Sequence, residues 1–199
     1  GAAAGTGNGE VPPATVPVVA SDFTQTITLD KDKEKVIAVD KSSVAVRELK
    51  LSSKVGKEVQ VSIKSLEQKP AEIAEVSGTY QYLQIEVQLE QKDIDEAFVS
   101  FAVPLSWLQE NKYDAKSVVL QRYADGVWSA LDTEVLSKGE TEVMYQAELE
   151  HFSYFAIVGG VEKPREIPWL KLVVIIGSIL LVLGVVYWLL NRQGEVDDF

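Results

Sequence analysis

Cysteine is absent from all 199 residues, which removes disulfides, thiolate zinc sites and cysteine nucleophiles together. Histidine occurs once, as His151, so a histidine-rich metal site cannot be assembled. Positive charge is also scarce. Nineteen Lys and Arg stand against 30 Asp and Glu, giving a formal net charge of −11, and no basic cluster free of acidic neighbours is present to meet a phosphate backbone. Nucleic-acid binding is excluded on that ground. Glycine-rich phosphate loops, dinucleotide fingerprints and metalloprotease motifs are missing, and Asn8, Asn111 and Asn191 all lie outside glycosylation sequons.

Long apolar runs are missing too, with one exception. Leu172 to Leu190 holds no charged side chain over 19 positions, and at about 1.5 Å per residue such a helix covers roughly 28 Å, close to the hydrocarbon thickness of a bilayer. Trp169 precedes it, and Tyr187 and Trp188 close it, the positions at which amphipathic rings meet the two headgroup levels. The run reads as a single transmembrane helix with the lipid bilayer as its partner. Gly177 and Gly184, seven residues apart on it, could permit close helix packing.

Residues 161–171 form a juxtamembrane segment, and 191–199 a short acidic tail that carries no domain. Lys163, Arg165 and Lys171 precede the helix and only Arg192 follows it, a bias that by itself favours a cytoplasmic N-terminal side, although large domains translocate largely regardless of charge. Residues 1–20 are rich in Gly and Ala, contain Pro12, Pro13 and Pro17, and carry Glu10 as their sole charge, which describes a flexible linker. A chain that begins at Gly1 within such a linker is expected to be the membrane-proximal end of a larger envelope protein.

Between linker and anchor, residues 21–160 alternate apolar and polar with period two. Thr24 to Leu29, Val59 to Ile63, Leu83 to Leu89, Val143 to Leu149 and Phe152 to Ile157 all follow this rule, the mark of half-buried antiparallel strands. Turn chemistry at Asp30–Lys35, Ser52–Lys57, Gly78, Asp125-Gly126 and Ser137–Gly139 divides the segment into about nine or ten strands. The expected fold is an all-β antiparallel sandwich followed by the C-terminal helix. Ser106 to Asn111, after Pro104, is the one helical piece, and Ala71 to Glu75 a further short turn. Asp125-Gly126 joins Val118–Tyr123 to Val127–Ala130 as a hairpin.

The ordered strings Val103-Pro104 with Ser106-Trp107-Leu108, then Leu120 with Arg122-Tyr123, Asp125-Gly126 and Trp128, and finally Phe152-Ser153-Tyr154-Phe155-Ala156-Ile157 resemble the PGF-pre-PGF domain of archaeal cell-surface proteins, over about Val59 to Gly160. The resemblance implies an exported surface domain just before a membrane segment, with the large domain extracellular, the tail cytoplasmic, and Trp107, Tyr123, Trp128, Phe152 and Phe155 as the core of the motif. The Pro-Gly-Phe sorting signal expected downstream in that family is missing between Gly160 and Leu172. The helix therefore reads as a lasting anchor.

Candidate chemistry is sparse. His151 begins the last strand, and neighbouring Ser153 lacks a nucleophile-elbow pattern. Asp93, Asp95 and Glu96 offer oxygen ligands for Ca2+, whereas Asp30, Asp32 and Glu34 alternate with lysines and read as a charged hairpin tip. Trp107, Tyr123 and Trp128 either pack or form an aromatic platform for a ligand. The leading expectation is a non-enzymatic, membrane-anchored surface module, structural or adhesive, that meets envelope polymers or neighbouring surface proteins. The alternative is an exported or tail-anchored enzyme subunit, or a carbohydrate-binding module.

Overall fold

A computed structural model of the chain describes residues 19–161. Within them eleven strands form two antiparallel sheets packed face to face, an all-β sandwich as the alternation predicts. The transmembrane run, with Trp169, Leu172, Gly177, Gly184, Tyr187, Trp188 and Leu190, lies outside the described residues, as does the linker up to residue 18. Among the described residues no helix is long and apolar enough to cross a membrane.

The strands are β1 (Val19–Leu29), β2 (Glu34–Ala38), β3 (Val46–Ser53), β4 (Lys57–Leu66), β5 (Thr79–Val87), β6 (Ile94–Pro104), β7 (Val119–Ala124), β8 (Val127–Ala130), β9 (Thr133–Lys138), β10 (Glu142–Glu148) and β11 (Tyr154–Val158), with one α-helix among the described residues, α1 (Leu105–Glu110), and single 3-10 turns at Gln91–Asp93 and Ala115–Ser117. One sheet has the order β1-β4-β5-β11-β7-β8 and the other β2-β3-β6-β10-β9. β1 starts at Val19, two residues inside the segment read as linker. Inward residues of both sheets fill one continuous core that includes Leu49, Ile63, Leu83, Val99, Phe101, Tyr145 and Phe155. The Phe101 and Tyr145 rings stack there with centroids 5.4 Å apart, as their direct cross-strand register requires.

The charged stretch at Asp30–Lys35 is not a hairpin tip. β1 pairs with β4, and β2 pairs with β3 in the other sheet, so residues 30–33 carry the chain from one sheet to the other. Period-two alternation tells which face of a strand is apolar; it does not tell which sheet the strand joins. Asp125-Gly126 is the hairpin turn expected, with φ of 52° and 83°, both in the left-handed region that a two-residue turn of the I′ kind demands. The short helix also stands where Ser106–Asn111 places it, shifted by one residue.

Antiparallel registers sort the connections into two ends. Val19 pairs with Leu66, Leu66 with Tyr82, and Val158 with Thr79. The first and last described strands therefore open at the same end, beside α1. The crossings near Asp30, Lys54, Asp93 and Glu150 occupy the other, where the Asp32 amide donates to Ser53 O at 2.8 Å and the Lys54 amide to Asp93 O at 2.9 Å, and where the Gln91 amide group donates to Glu150 O.

Candidate functional site

A cleft of about 530 Å³ lies at the α1 end. Its first wall comes from α1 and the turn that follows. Pro104 enters the helix extended, Leu108 buries itself in the core, and the helix then stops through two reversed hydrogen bonds. The Lys112 amide donates to Gln109 O at 3.1 Å and the Tyr113 amide to Leu108 O at 2.9 Å, with Lys112 at φ 57°. This is a Schellman stop with lysine where glycine is usual. It swings Tyr113 back beneath Trp107, ring centroids 5.4 Å apart.

Glycines let these rings lie directly on the departing backbone. A Cβ on Gly159 would sit 2.5 Å from Tyr113 Cδ2 and 2.9 Å from Trp107 Cη2, and one on Gly160 2.6 Å from Tyr113 Cε1. The Gly159 amide donates to Gly78 O at 2.9 Å, and the amides of Gly160 and Val161 donate to Ser117 Oγ and O at 3.0 and 3.1 Å.

β5 and the segment before it make the second wall. The β11 pairing skips one residue of β5, since Ile157 faces Gln81 and Val158 faces Thr79, and the extra residue is Tyr80. Its ring meets Trp107 at 5.2 Å. Burial raises the Tyr80 phenol above its ordinary pKa, with nearby Arg47 acting to lower it and Glu142 to raise it. Gln81 reaches across the sandwich, accepting from the Ala45 amide at 2.7 Å and donating to Ser43 O at 3.0 Å, which ties the two sheets together at the cleft. Arg47 is already engaged, by Val44 O at 2.6 Å and Glu142 at 3.3 Å. Glu67 and Glu75 also line the cleft, and neither forms an ion pair among the described residues.

Trp128 belongs to a different cluster. On the outer face of the six-stranded sheet its ring meets Tyr123 at 5.2 Å and Tyr82 at 6.1 Å. Residues 67–78 cross this face, where Val76 packs on Val119, Ala156 and Val158 and the Trp128 indole donates to Ala74 O at 2.6 Å. Tyr154 is on the same face, in register with Tyr123, its phenol pKa raised by burial and by the charges of Glu72 and Glu86. The structure thus brings Tyr123 and Trp128 together and leaves Trp107 elsewhere, so the three do not form one platform. Of the five motif aromatics only Phe155 is fully buried; Trp107 and Phe152 pack at the margin of the main core.

The remaining candidates are dispersed. Asp93 accepts through its backbone carbonyl from Ser53 Oγ at 3.1 Å, while Asp95 and Glu96 are exposed at an irregularity in the β3–β6 register. Among the described residues no group of three or more carboxylates or histidines comes together to hold a metal ion. His151 is exposed, and Ser153 Oγ donates to Tyr123 O at 2.9 Å, a structural bond.

Sequence reading missed Tyr80, Tyr113, Glu67 and Glu75. The available signal was the Tyr80-Gln81-Tyr82 repeat together with Trp107 and Tyr113, but no spacing announces that a bulge turns Tyr80 toward α1. No protein-family model matches the chain, and no curated protein matches it.

Proposed function

We propose that the chain is a non-enzymatic, membrane-anchored surface module: an acidic β-sandwich exposed outside the cell, held by the helix at Leu172–Leu190, with the tail 191–199 in the cytoplasm. The observation that carries this reading is the shared exit of β1 and β11 at the α1 end. A sandwich attached through one end leaves the loops of the opposite end and the sheet faces open to envelope polymers or neighbouring surface proteins. The motif strings that resemble the PGF-pre-PGF domain, and the aromatic belt around the apolar run, support the same arrangement. The high net negative charge keeps such an exposed surface soluble.

Labelling of intact cells with a membrane-impermeant amine reagent tests the topology. Lys31, Lys33 and Lys54 are exposed at the end opposite the exits, and they are expected to react in unbroken cells. Reaction only after lysis would overturn the extracellular placement. Deletion of 172–190 is expected to release the protein from the membrane fraction, and its retention there would refute the anchor.

A further inference from the structure

We propose that the cleft at the α1 end is a binding site for an organic cation, a substituted ammonium group held against the rings of Trp107, Tyr80 and Tyr113 and balanced by the carboxylates of Glu67 and Glu75.

The first ground is the chemistry of the lining. Aromatic rings and the two carboxylates meet in one cleft, and neither lysine nor arginine is among the residues that line it. Arg47 is engaged by Val44 O and Glu142 and Lys69 by the carbonyl of Ile73 at 2.8 Å, while Lys112, exposed on the turn between Asn111 and Tyr113, is not among the lining residues. The π faces of Trp and Tyr attract positive charge, and two carboxylates without ion-pair partners among the described residues leave the cleft short of it. A neutral occupant would not make use of that imbalance.

The second ground is geometry. Trp107 is inclined by 58° to both Tyr80 and Tyr113, so the three rings do not share one plane. A flat sugar platform would need rings close to one plane. The rings are also held in advance, by the stop of α1 on one side and by the Gly159-Gly160 backbone on the other, which lowers the ordering cost of capture. The Trp107 indole N–H has no hydrogen-bond partner among the described residues, whereas that of Trp128 is fastened to Ala74. The volume of about 530 Å³ lies within the range of small-molecule sites. A metal ion is a poorer occupant, since no set of three ligands converges among the described residues.

Binding of this kind does not depend on the side of the membrane on which the domain stands, so the labelling experiment above and the following one fail separately. The full chain, labelled with ¹⁵N and held in phosphatidylglycerol nanodiscs, is titrated with choline while the Trp107 indole signal, assigned with Trp107→Phe, is followed. A saturable shift is expected. The uncharged isostere 3,3-dimethylbutan-1-ol should bind at least about tenfold more weakly, because it lacks the charge that the rings and carboxylates attract. The double variant Glu67→Gln/Glu75→Gln changes two exposed side chains and should lose about tenfold in choline affinity, whereas Glu148→Gln, on the other sheet, should lose nothing. Equal binding of choline and its isostere, a response to N-acetylglucosamine in place of choline, or no saturable shift would each overturn the proposal.

Discussion

The indole N–H of Trp128 reaches the carbonyl of Ala74 at 2.6 Å, a bond between a hairpin strand and a segment 54 residues earlier in the chain. It fastens residues 67–78 across the outer face of the six-stranded sheet. Trp128→Phe keeps most of the ring area and loses the donor, so a cost of about 1–2 kcal/mol is expected. Amide hydrogen exchange should speed up most at residues 71–77, with β6 and β10 following only the global change. Unaltered exchange in that segment would show that the bond does not hold it.

Three glycines separate steric need from conformational need. Gly159→Ala drives a Cβ into Tyr113 and Trp107 at 2.5 and 2.9 Å, and overpacking of this kind costs about 1–3 kcal/mol. Gly126→Ala meets no atom within 4 Å but sits at φ +83°, so its cost, about 1 kcal/mol, is purely conformational. Gly56→Ala has contacts no closer than 3.7 Å and is expected to be neutral or stabilising by up to about 1 kcal/mol. Urea midpoints of the three variants in that order check the ranking.

Tyr145 gives the fold an alkaline limit. Its ring is fully buried and its hydroxyl donates to Ala115 O at 2.9 Å, and burial, aided by the charge of Asp114, pushes its pKa up to about 12 from 10.0. The folded state then holds the phenolic proton more tightly than the unfolded chain does. The associated stability is complete below pH 10 and is lost as pH rises from about 10 to 12, a loss on the order of 2–3 kcal/mol. Tyr80 and Tyr154, also raised, add slopes of the same sign. Tyr145→Phe should lower stability near neutrality by about 1 kcal/mol and flatten the decline above pH 10, measured by denaturant titrations at several pH values.

Calcium makes a simpler prediction. Asp95 and Glu96 stand exposed and Asp93 binds through its backbone, so neither millimolar calcium nor a chelator should move the thermal midpoint. A rise with calcium that disappears in Asp95→Asn/Glu96→Gln would contradict this.

Much of the sandwich was legible because period-two alternation is a direct record of which face of a strand meets the core. Val59, Val61 and Ile63 are inward as that record requires, and Asp125-Gly126 declares its turn because positive φ restricts the residues that can serve there. Sheet membership was not legible. Residues 30–33 look like a hairpin tip in sequence, since a charged polar turn is compatible with either a return to the neighbouring strand or a crossing between sheets. The site was less legible still. Trp107 and Trp128 carry the same ring yet belong to separate clusters, and what separates them is a skipped residue at Tyr80 and a covering segment at 67–78, both products of tertiary packing that leave no periodic trace.

The shared exit of β1 and β11 has a mechanical meaning. Ladder bonds in an antiparallel pair run across the strands, so tension applied between Val19 and Val161 loads the β1–β4 ladder at one rung at a time, starting where Val19 faces Leu66. Strands whose pulled ends lie at opposite ends of a sheet would resist in shear, with many bonds sharing the force. This sandwich instead opens like a zipper, and a pull transmitted along its own chain peels β1 away well before the remainder of the core gives way.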